Sequence, residues 1–230
     1  VLDSCFEAIL IDKRRFKDNS LIVKFLAQNG DLLSGIYFDG KSKLNLQYLN
    51  YYQVTSDLIP GKDWIKFREV TGVTGKTFGQ LHPQLYDQYF ILSELCRVLL
   101  KEEDSGRELF SFLEVEVKYF FGEFNPDFHI LFLAKLISIY GYLPQGPFVG
   151  IYFDLRDCLF SSDLPIHPDY CSGNLIASVF NFVNGNSSGL VFVNAKERYQ
   201  VFLQLLRFLE LQKGIKLSLK SIEILRELRD

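Results

Sequence analysis

Lys13-Arg14-Arg15-Phe16-Lys17 sets cations around an aromatic ring, and Lys41 and Lys43 follow in a short polar stretch. Cations on exposed supports neutralise phosphates and release their counterions, while rings between them can stack unpaired bases. Lys24, Lys62, Lys66 and Arg68 add charge to the same front segment, and Phe16, Tyr37, Phe38 and Tyr48 supply rings. The expected phosphate contacts are Lys13, Arg14, Arg15, Lys17, Lys41 and Lys43. A second reading stays open on the residues alone: an ordinary solvated surface over core aromatics.

Other chemistry finds little support. Gly75-Lys76-Thr77 ends like a phosphate-binding loop, but that motif needs glycine five residues before Gly75, where Val70 stands. His82, His129 and His167 are far apart, and no two lie one helical turn from each other, so no metal is expected. Cys5, Cys96, Cys158 and Cys171 form no C-x-x-C pair and read as reduced thiols used as small apolar residues. Asp154 and Asp157 flank Arg156, a spacing that suits a local salt-bridge network better than an acid/base pair. A protein without catalysis, cofactor or metal is expected.

Composition sets the frame for these residues. In 230 residues, 48% are hydrophobic and 15% aromatic, enough to bury nearly every segment against something. Net charge is −3 and the pI about 5.7, which argues against strong nucleic-acid affinity of the whole chain. The distribution is uneven: residues 1–80 hold 11 Lys+Arg against 9 Asp+Glu, and the remainder 14 against 19. Apolar runs stop well short of the roughly 20 residues that cross a bilayer. The opening Val1-Leu2-Asp3-Ser4-Cys5 has no secretory pattern, and a cytoplasmic protein is expected.

The elements that must carry the cations are strands. Apolar runs at Cys5–Ile11, Leu21–Leu26, Leu32–Phe38, Leu46–Thr55 and Trp64–Val70 are separated by turn signals, among them Asn29-Gly30 and Pro60-Gly61. Five such strands fit an OB-type barrel, with Lys13 to Lys17 joining the first two. From Leu85 the period changes to three or four residues, through Tyr89, Leu92, Cys96 and Leu99. Further helices are expected over 107–121, from Asn125-Pro126 with Asn as cap and Pro at the first helical position, over 172–183, 196–212 and 218–228. A small hairpin is expected over 151–160. The fold class is therefore α+β: a five-stranded OB-fold barrel over 1–80, then an all-helical domain over 81–230 with a hairpin insertion.

The order of segments resembles the bacterial recombination mediator RecO. Glu7-Ala8-Ile9-Leu10, Asn19-Ser20-Leu21-Ile22-Val23 and Asn29-Gly30-Asp31-Leu32-Leu33-Ser34-Gly35 are similar to the family's opening, and Leu46-Gln47 to the start of its fourth strand, with Tyr48 where proline is usual. The rear half is similar at Asn125-Pro126-Asp127-Phe128, Gly141-Tyr142-Leu143-Pro144, Tyr152-Phe153-Asp154-Leu155-Arg156, His167-Pro168 and Leu219-Lys220-Ser221-Ile222-Glu223. Many RecO proteins carry a four-cysteine zinc site after the Gly-Tyr-x-Pro segment; the Tyr-Phe-Asp-Leu-Arg hairpin here resembles the metal-free branch. The resemblance implies binding of single- and double-stranded DNA, strand annealing and, with RecR, help for RecA in replacing single-strand-binding protein. It also implies a groove in the helical domain for that protein's C-terminal tail, and a nucleoid-associated location. An adaptor whose barrel chiefly binds RecR is the alternative, motivated by the acidic pI.

Overall fold

The computed structural model describes residues 4–17, 19–38, 46–58, 65–73, 82–101, 106–122, 124–144, 148, 150–185, 192 and 194–227. β1 (Ser4–Lys17), β2 (Ser20–Ala27), β3 (Leu32–Phe38), β4 (Tyr51–Leu58) and β5 (Ile65–Gly72) form a closed barrel in the order β1-β2-β3-β5-β4, with β4 paired back to β1. Every pairing is antiparallel except β3 with β5. This is the OB-type barrel that the strand pattern predicts.

Period-2 alternation fills the barrel. Ala8 and Leu10, Val23 and Phe25, Tyr37, Tyr52 and Val54, and Phe67 and Val70 form one buried cluster. Phe25 lies edge-on to Phe67 at 5.2 Å and to Tyr52 at 6.0 Å, so three strands meet at one ring. Bulges between Leu10 and Asp12, Arg15 and Lys17, and Thr55 and Ser56 supply the extra twist that closure needs.

Closure itself depends on Gly35, which pairs with Ile65 across the β3–β5 seam. A Cβ there would sit 2.2 Å from the Ile65 carbonyl oxygen and 2.8 Å from the Phe67 ring, so no other residue fits without parting the strands. At the opposite end of β3 the Asn29-Gly30 turn is held just as closely. Gly30 takes φ +96°, the Gly106 N–H donates to its carbonyl at 2.9 Å, and an added Cβ would meet Arg107 N at 2.4 Å.

A single 3-10 turn, Pro83–Leu85, leads into α1 (Tyr86–Leu99), which is followed by α2 (Arg107–Gly122). The stripe Leu85, Tyr89, Leu92, Cys96 and Leu99 is buried as its spacing predicts. Compactness divides the chain elsewhere than at the change from strand to helix after residue 80. One unit comprises Val1–Phe124 with Leu219–Asp230, and the other Asn125–Ser218. The barrel, α1, α2 and the C-terminal α6 (Lys220–Glu227) thus share the first unit. Glu94 of α1 explains the return of α6: its Oε2 accepts from the Ser221 N–H at 2.7 Å, satisfying an open donor of the helix start.

The second unit holds α3 (Phe128–Ile139), β6 (Tyr152–Asp154), β7 (Leu159–Ser161), β8 (Tyr170–Ser172), α4 (Gly173–Val183) and α5 (Ala195–Lys213). α3 is buried along Phe128, Ile130 to Ala134, Leu136 and Ile137, in keeping with its apolar circumference. Its start differs from expectation. Asn125 Oδ1 accepts from the Asp127 N–H at 2.9 Å, so Asn125-Pro126 makes a side-chain-closed turn and the helix begins at Phe128. The expected hairpin gains a third strand, in the order β7-β6-β8, because Tyr152 to Asp154 also pair with Tyr170 to Ser172. α5 shows full capping: Asn194 Oδ1 accepts from Glu197 N at 2.9 Å, and Gly214 closes the helix at φ +62°.

Two strand bounds also move. The fourth strand begins at Tyr51 and not at Leu46, because Leu46 to Asn50 fold across one end of the barrel: the Leu49 N–H donates to Leu10 O at 2.8 Å, and Leu49 takes φ 59°. β1 continues to Lys17, paired with β2 as far as Lys17↔Ser20, so Lys13 to Lys17 are strand residues and not a connecting loop. No helix among the described residues is long and apolar enough to cross a membrane.

Two outcomes test this account. Gly35→Ala should lower stability by about 3 kcal/mol, because the strained contact is with backbone and cannot rotate away; urea unfolding with an unchanged midpoint would contradict the seam. In the second unit, burial and then the charge of Arg198 hold the His129 imidazole down at about 4, and its ring lies edge-on to Phe202 at 5.0 Å. The unfolded chain takes up a proton near 6.5 that the folded chain refuses. The stability from neutral His129 is complete above that value and is lost as pH falls toward 4. His129→Phe should therefore flatten the melting temperature across pH 7 to 4.5 relative to the parent chain.

Candidate nucleic-acid interface

The register of β1, β2, β3 and β5 sorts the front-half cations into two sides. Side chains directly opposite across a ladder share a face, and the residues packed in the barrel core mark which face is inside. Lys13↔Val23 and Arg15↔Leu21 fall on the inner side; Asp12↔Lys24 and Arg14↔Ile22 fall on the outer one. The bulge after Leu10 makes this shift, and an uninterrupted alternation along β1 would assign the opposite faces.

Lys13 is consequently not a free cation. It is half-buried, its Nζ donates to the Leu46 carbonyl and lies 5.3 Å from the Tyr48 ring centroid, and burial lowers its pKa. Tyr48 Oη donates to Lys13 O at 3.3 Å, while Tyr89 Oη of α1 donates to Tyr48 O at 2.9 Å. The contacts tie Lys13, the 46–50 segment and α1 together, so this lysine closes the barrel end.

Arg14, Arg15, Phe16 and Lys17 are all exposed. Lys17 Nζ stands 5.5 Å from the centroid of Phe16, a ring 48% exposed. Of the expected contacts, Arg14, Arg15 and Lys17 are exposed at the end of β1, with Arg15 on the other side of the strand from Arg14, and Lys13 is reassigned; Lys41 and Lys43 lie outside the described residues. The outer face adds Lys24 and Lys66. Ile22 pairs with Ile36 and Ile36 with Lys66, which sets Arg14-Ile22-Ile36-Lys66 in one row across four strands. Lys66 Nζ lies 5.5 Å from the centroid of Phe38, which is 53% exposed. Arg68 is committed to an ion pair with Asp57.

Other titratable side chains are engaged within the fold. Asp154, Asp157 and His167 bring one donor atom each within 4.8 Å, an arrangement not foreseen from the scattered histidines. Asp154 is already engaged at both oxygens: Oδ1 accepts from Arg156 N at 2.9 Å and Asp157 N at 3.0 Å, and Oδ2 meets His167 Nε2 at 3.1 Å. Arg156 and Arg207 both hold Asp169, at 2.6 Å and 2.9 Å. The network expected from the Asp-Arg-Asp spacing takes another form: the Arg156 guanidinium pairs with Asp169, while Asp154 holds His167 and the backbone of its own turn. Burial raises the thiols of Cys96 and Cys171 to about 12 and that of Cys158 to about 11, so these stay protonated near neutrality.

Two curated DNA repair proteins are similar to this chain, one along nearly its whole length. Over 237 aligned positions the chain is 26% identical to the DNA repair protein RecO of Christiangramia forsetii, spanning 96% of this chain and 97% of that protein. It is 26% identical over 168 positions to the DNA repair protein RecO of Flavobacterium johnsoniae, 67% of this chain and 69% of that protein. No protein-family model matches.

The Lys13 contacts generate a prediction that separates folding from binding. Lys13→Ala should lower the melting temperature, whereas the Arg14→Ala and Arg15→Ala changes should leave it within about 1 °C, as surface substitutions generally do. A Lys13→Ala chain as stable as its parent would remove the closing role. With likeness running through barrel and helices alike, the chain is similar to curated RecO proteins, which are DNA repair proteins, along most of its length.

Proposed function

We propose that this chain mediates recombinational repair without covalent chemistry: it binds single- and double-stranded DNA, anneals complementary strands and, with RecR, helps RecA replace single-strand-binding protein. The observation that carries the reading is the end of β1, where Arg14, Arg15, Phe16 and Lys17 are all exposed and Lys17 Nζ lies 5.5 Å from the Phe16 ring centroid. Rigid strands hold these charges at fixed spacing, so phosphates can be bound without ordering a loop first. Exchange of one DNA partner for another needs contacts that salt and competing strands can displace, and surface cations provide them. A protein of this kind works in the cytoplasm at the nucleoid. Its helices would receive protein partners, among them the tail of single-strand-binding protein.

The acidic balance of the whole chain favours a second reading, in which the barrel chiefly binds RecR and DNA contact is minor. DNA retention by the isolated protein, with and without RecR, distinguishes the two: retention only with RecR favours the adaptor.

A salt series tests the leading reading. The slope of log affinity against log salt should fall by about 2 for single-stranded DNA when Arg14, Arg15 and Lys17 are all changed to Ala, at about 0.7 per phosphate contact. Unchanged affinity and slope would reject these residues as the interface.

A further inference from the structure

We infer that copies of this chain join head to tail, the Leu164-Pro165-Ile166 prong of one copy entering a pocket between α1 and α6 of the next. The prong belongs to the second unit and the pocket to the first, and neither includes Arg14, Arg15 or Lys17.

Between β7 and β8 the chain holds two large apolar side chains out in solvent: Ile166 is fully exposed and Leu164 is 58% exposed. The segment that carries them is braced at both ends. On one side the Asp163 N–H donates to Ser161 Oγ at 2.9 Å. On the other, His167 Nε2 meets Asp154 Oδ2 at 3.1 Å, and Asp169 is held by Arg156 and Arg207. Pro165 and Pro168 fix φ between these ties and remove two N–H donors, so the segment presents carbonyl acceptors beside its apolar side chains. Order already in place lowers the entropic cost of docking, and apolar side chains held outward on an ordered support mark a contact surface. The exposed Asp163 carboxylate flanks the prong.

The pocket has the complementary chemistry. It encloses about 380 Å³, with Phe90 of α1, Ile224 of α6 and Tyr48 as apolar walls, and Phe90 and Ile224 are 48% and 54% exposed. Its lining includes two cations, Arg97 and Lys220, and one carboxylate, Glu94. That carboxylate is already answered: Oε1 accepts from Arg97 at 3.1 Å and Oε2 from the Ser221 N–H at 2.7 Å. The charge left over is positive, and it suits Asp163. Ser221 Oγ is buried in the wall with no hydrogen-bond partner among the described residues, and it suits a carbonyl of the proline segment. Apolar wall, cation and hydroxyl thus match apolar prong, carboxylate and carbonyl. The chain carries both halves, which identifies the occupant as a second copy of itself. Prong and pocket are different patches, so each contact leaves one of each unfilled and assembly continues past the dimer. One such contact is far smaller than a permanent interface, so the assembly is reversible and depends on concentration.

Sedimentation velocity on the full chain without DNA, from about 10 to 500 µM, tests this. The weight-average mass should climb with concentration and pass that of a dimer. Ile166→Asp on the prong and Ile224→Asp on the pocket should each hold the chain monomeric. Mixed together, the two variants should form a heterodimer and stop there, because the first keeps its pocket and the second its prong. Phe90→Asp repeats the pocket arm from α1 and should behave as Ile224→Asp does, which separates a lost contact from a displaced α6. All three side chains are about half-exposed or more, so far-UV spectra like the parent's are expected. Lys220→Glu should weaken association by about three-fold or more, and adding Asp163→Lys to the same chain should recover it. A parent chain that stays monomeric throughout would overturn the inference and leave prong and pocket to other proteins. Self-association that survives the substitutions, or a mixture of the two variants that stays monomeric, would overturn it as well.

Discussion

Where β3 runs beside β5, a backbone carbonyl occupies the space that any side chain at position 35 would need, and the barrel exists because none is there. Antiparallel neighbours can form locally through short turns, but this parallel seam joins strands separated by the whole of β4. It is the contact of greatest consequence for closure, and it determines which residues share a wall. Lys66 reaches the row of Arg14 only through that seam, and its approach to Phe38 is a contact across it. The cationic wall is a property of the closed barrel, since the segments that supply it are distant in sequence.

This explains what could and could not be read before the fold was known. Runs of alternating apolar residues identify the five strands, and the helical stripe through Leu85, Tyr89 and Leu92 marks the change of period after them. The cluster Lys13 to Lys17 is conspicuous as charge, but charge does not encode side. The bulge at Ile11 reverses the faces of everything after it, so Lys13 turns toward the barrel interior while Arg14 turns out. Leu46 to Asn50 misleads for a related reason: their apolar residues serve to plug the barrel end, a use of hydrophobicity without any period. Asn125-Pro126 carries the composition of a helix start, but its side chain closes a turn one step earlier.

The second unit is organised by aromatic packing around the small sheet. Phe153 lies 4.7 Å from Phe160, 5.3 Å from Phe208 and 5.8 Å from Phe180, so one residue of β6 joins β7, α4 and α5. The ion network of Asp154, Arg156, Asp169 and Arg207 lies along the same strand neighbourhood and fixes the β6–β7 turn through backbone N–H groups. Sequence spacing suggests an ion pair of Arg156 with its flanking aspartates, whereas the partner of Arg156 is Asp169, which Arg207 reaches from α5. Three raised thiols belong to this chain's interior chemistry: two are small core residues, and Cys158 donates to Tyr142 O at 3.4 Å from a turn with φ 56°.

The docking of Gly30 against Gly106 bears on how such a protein can vary. Hairpin tips are ordinarily the places where chains lengthen, shorten or accept grafted peptides at little cost. Here the tip between β2 and β3 is pressed against the first turn of α2, leaving no room for even one methyl group. Length variation between related chains should therefore avoid this tip and collect elsewhere. A tag or reporter meant to leave the barrel intact should not be inserted at residues 28–31.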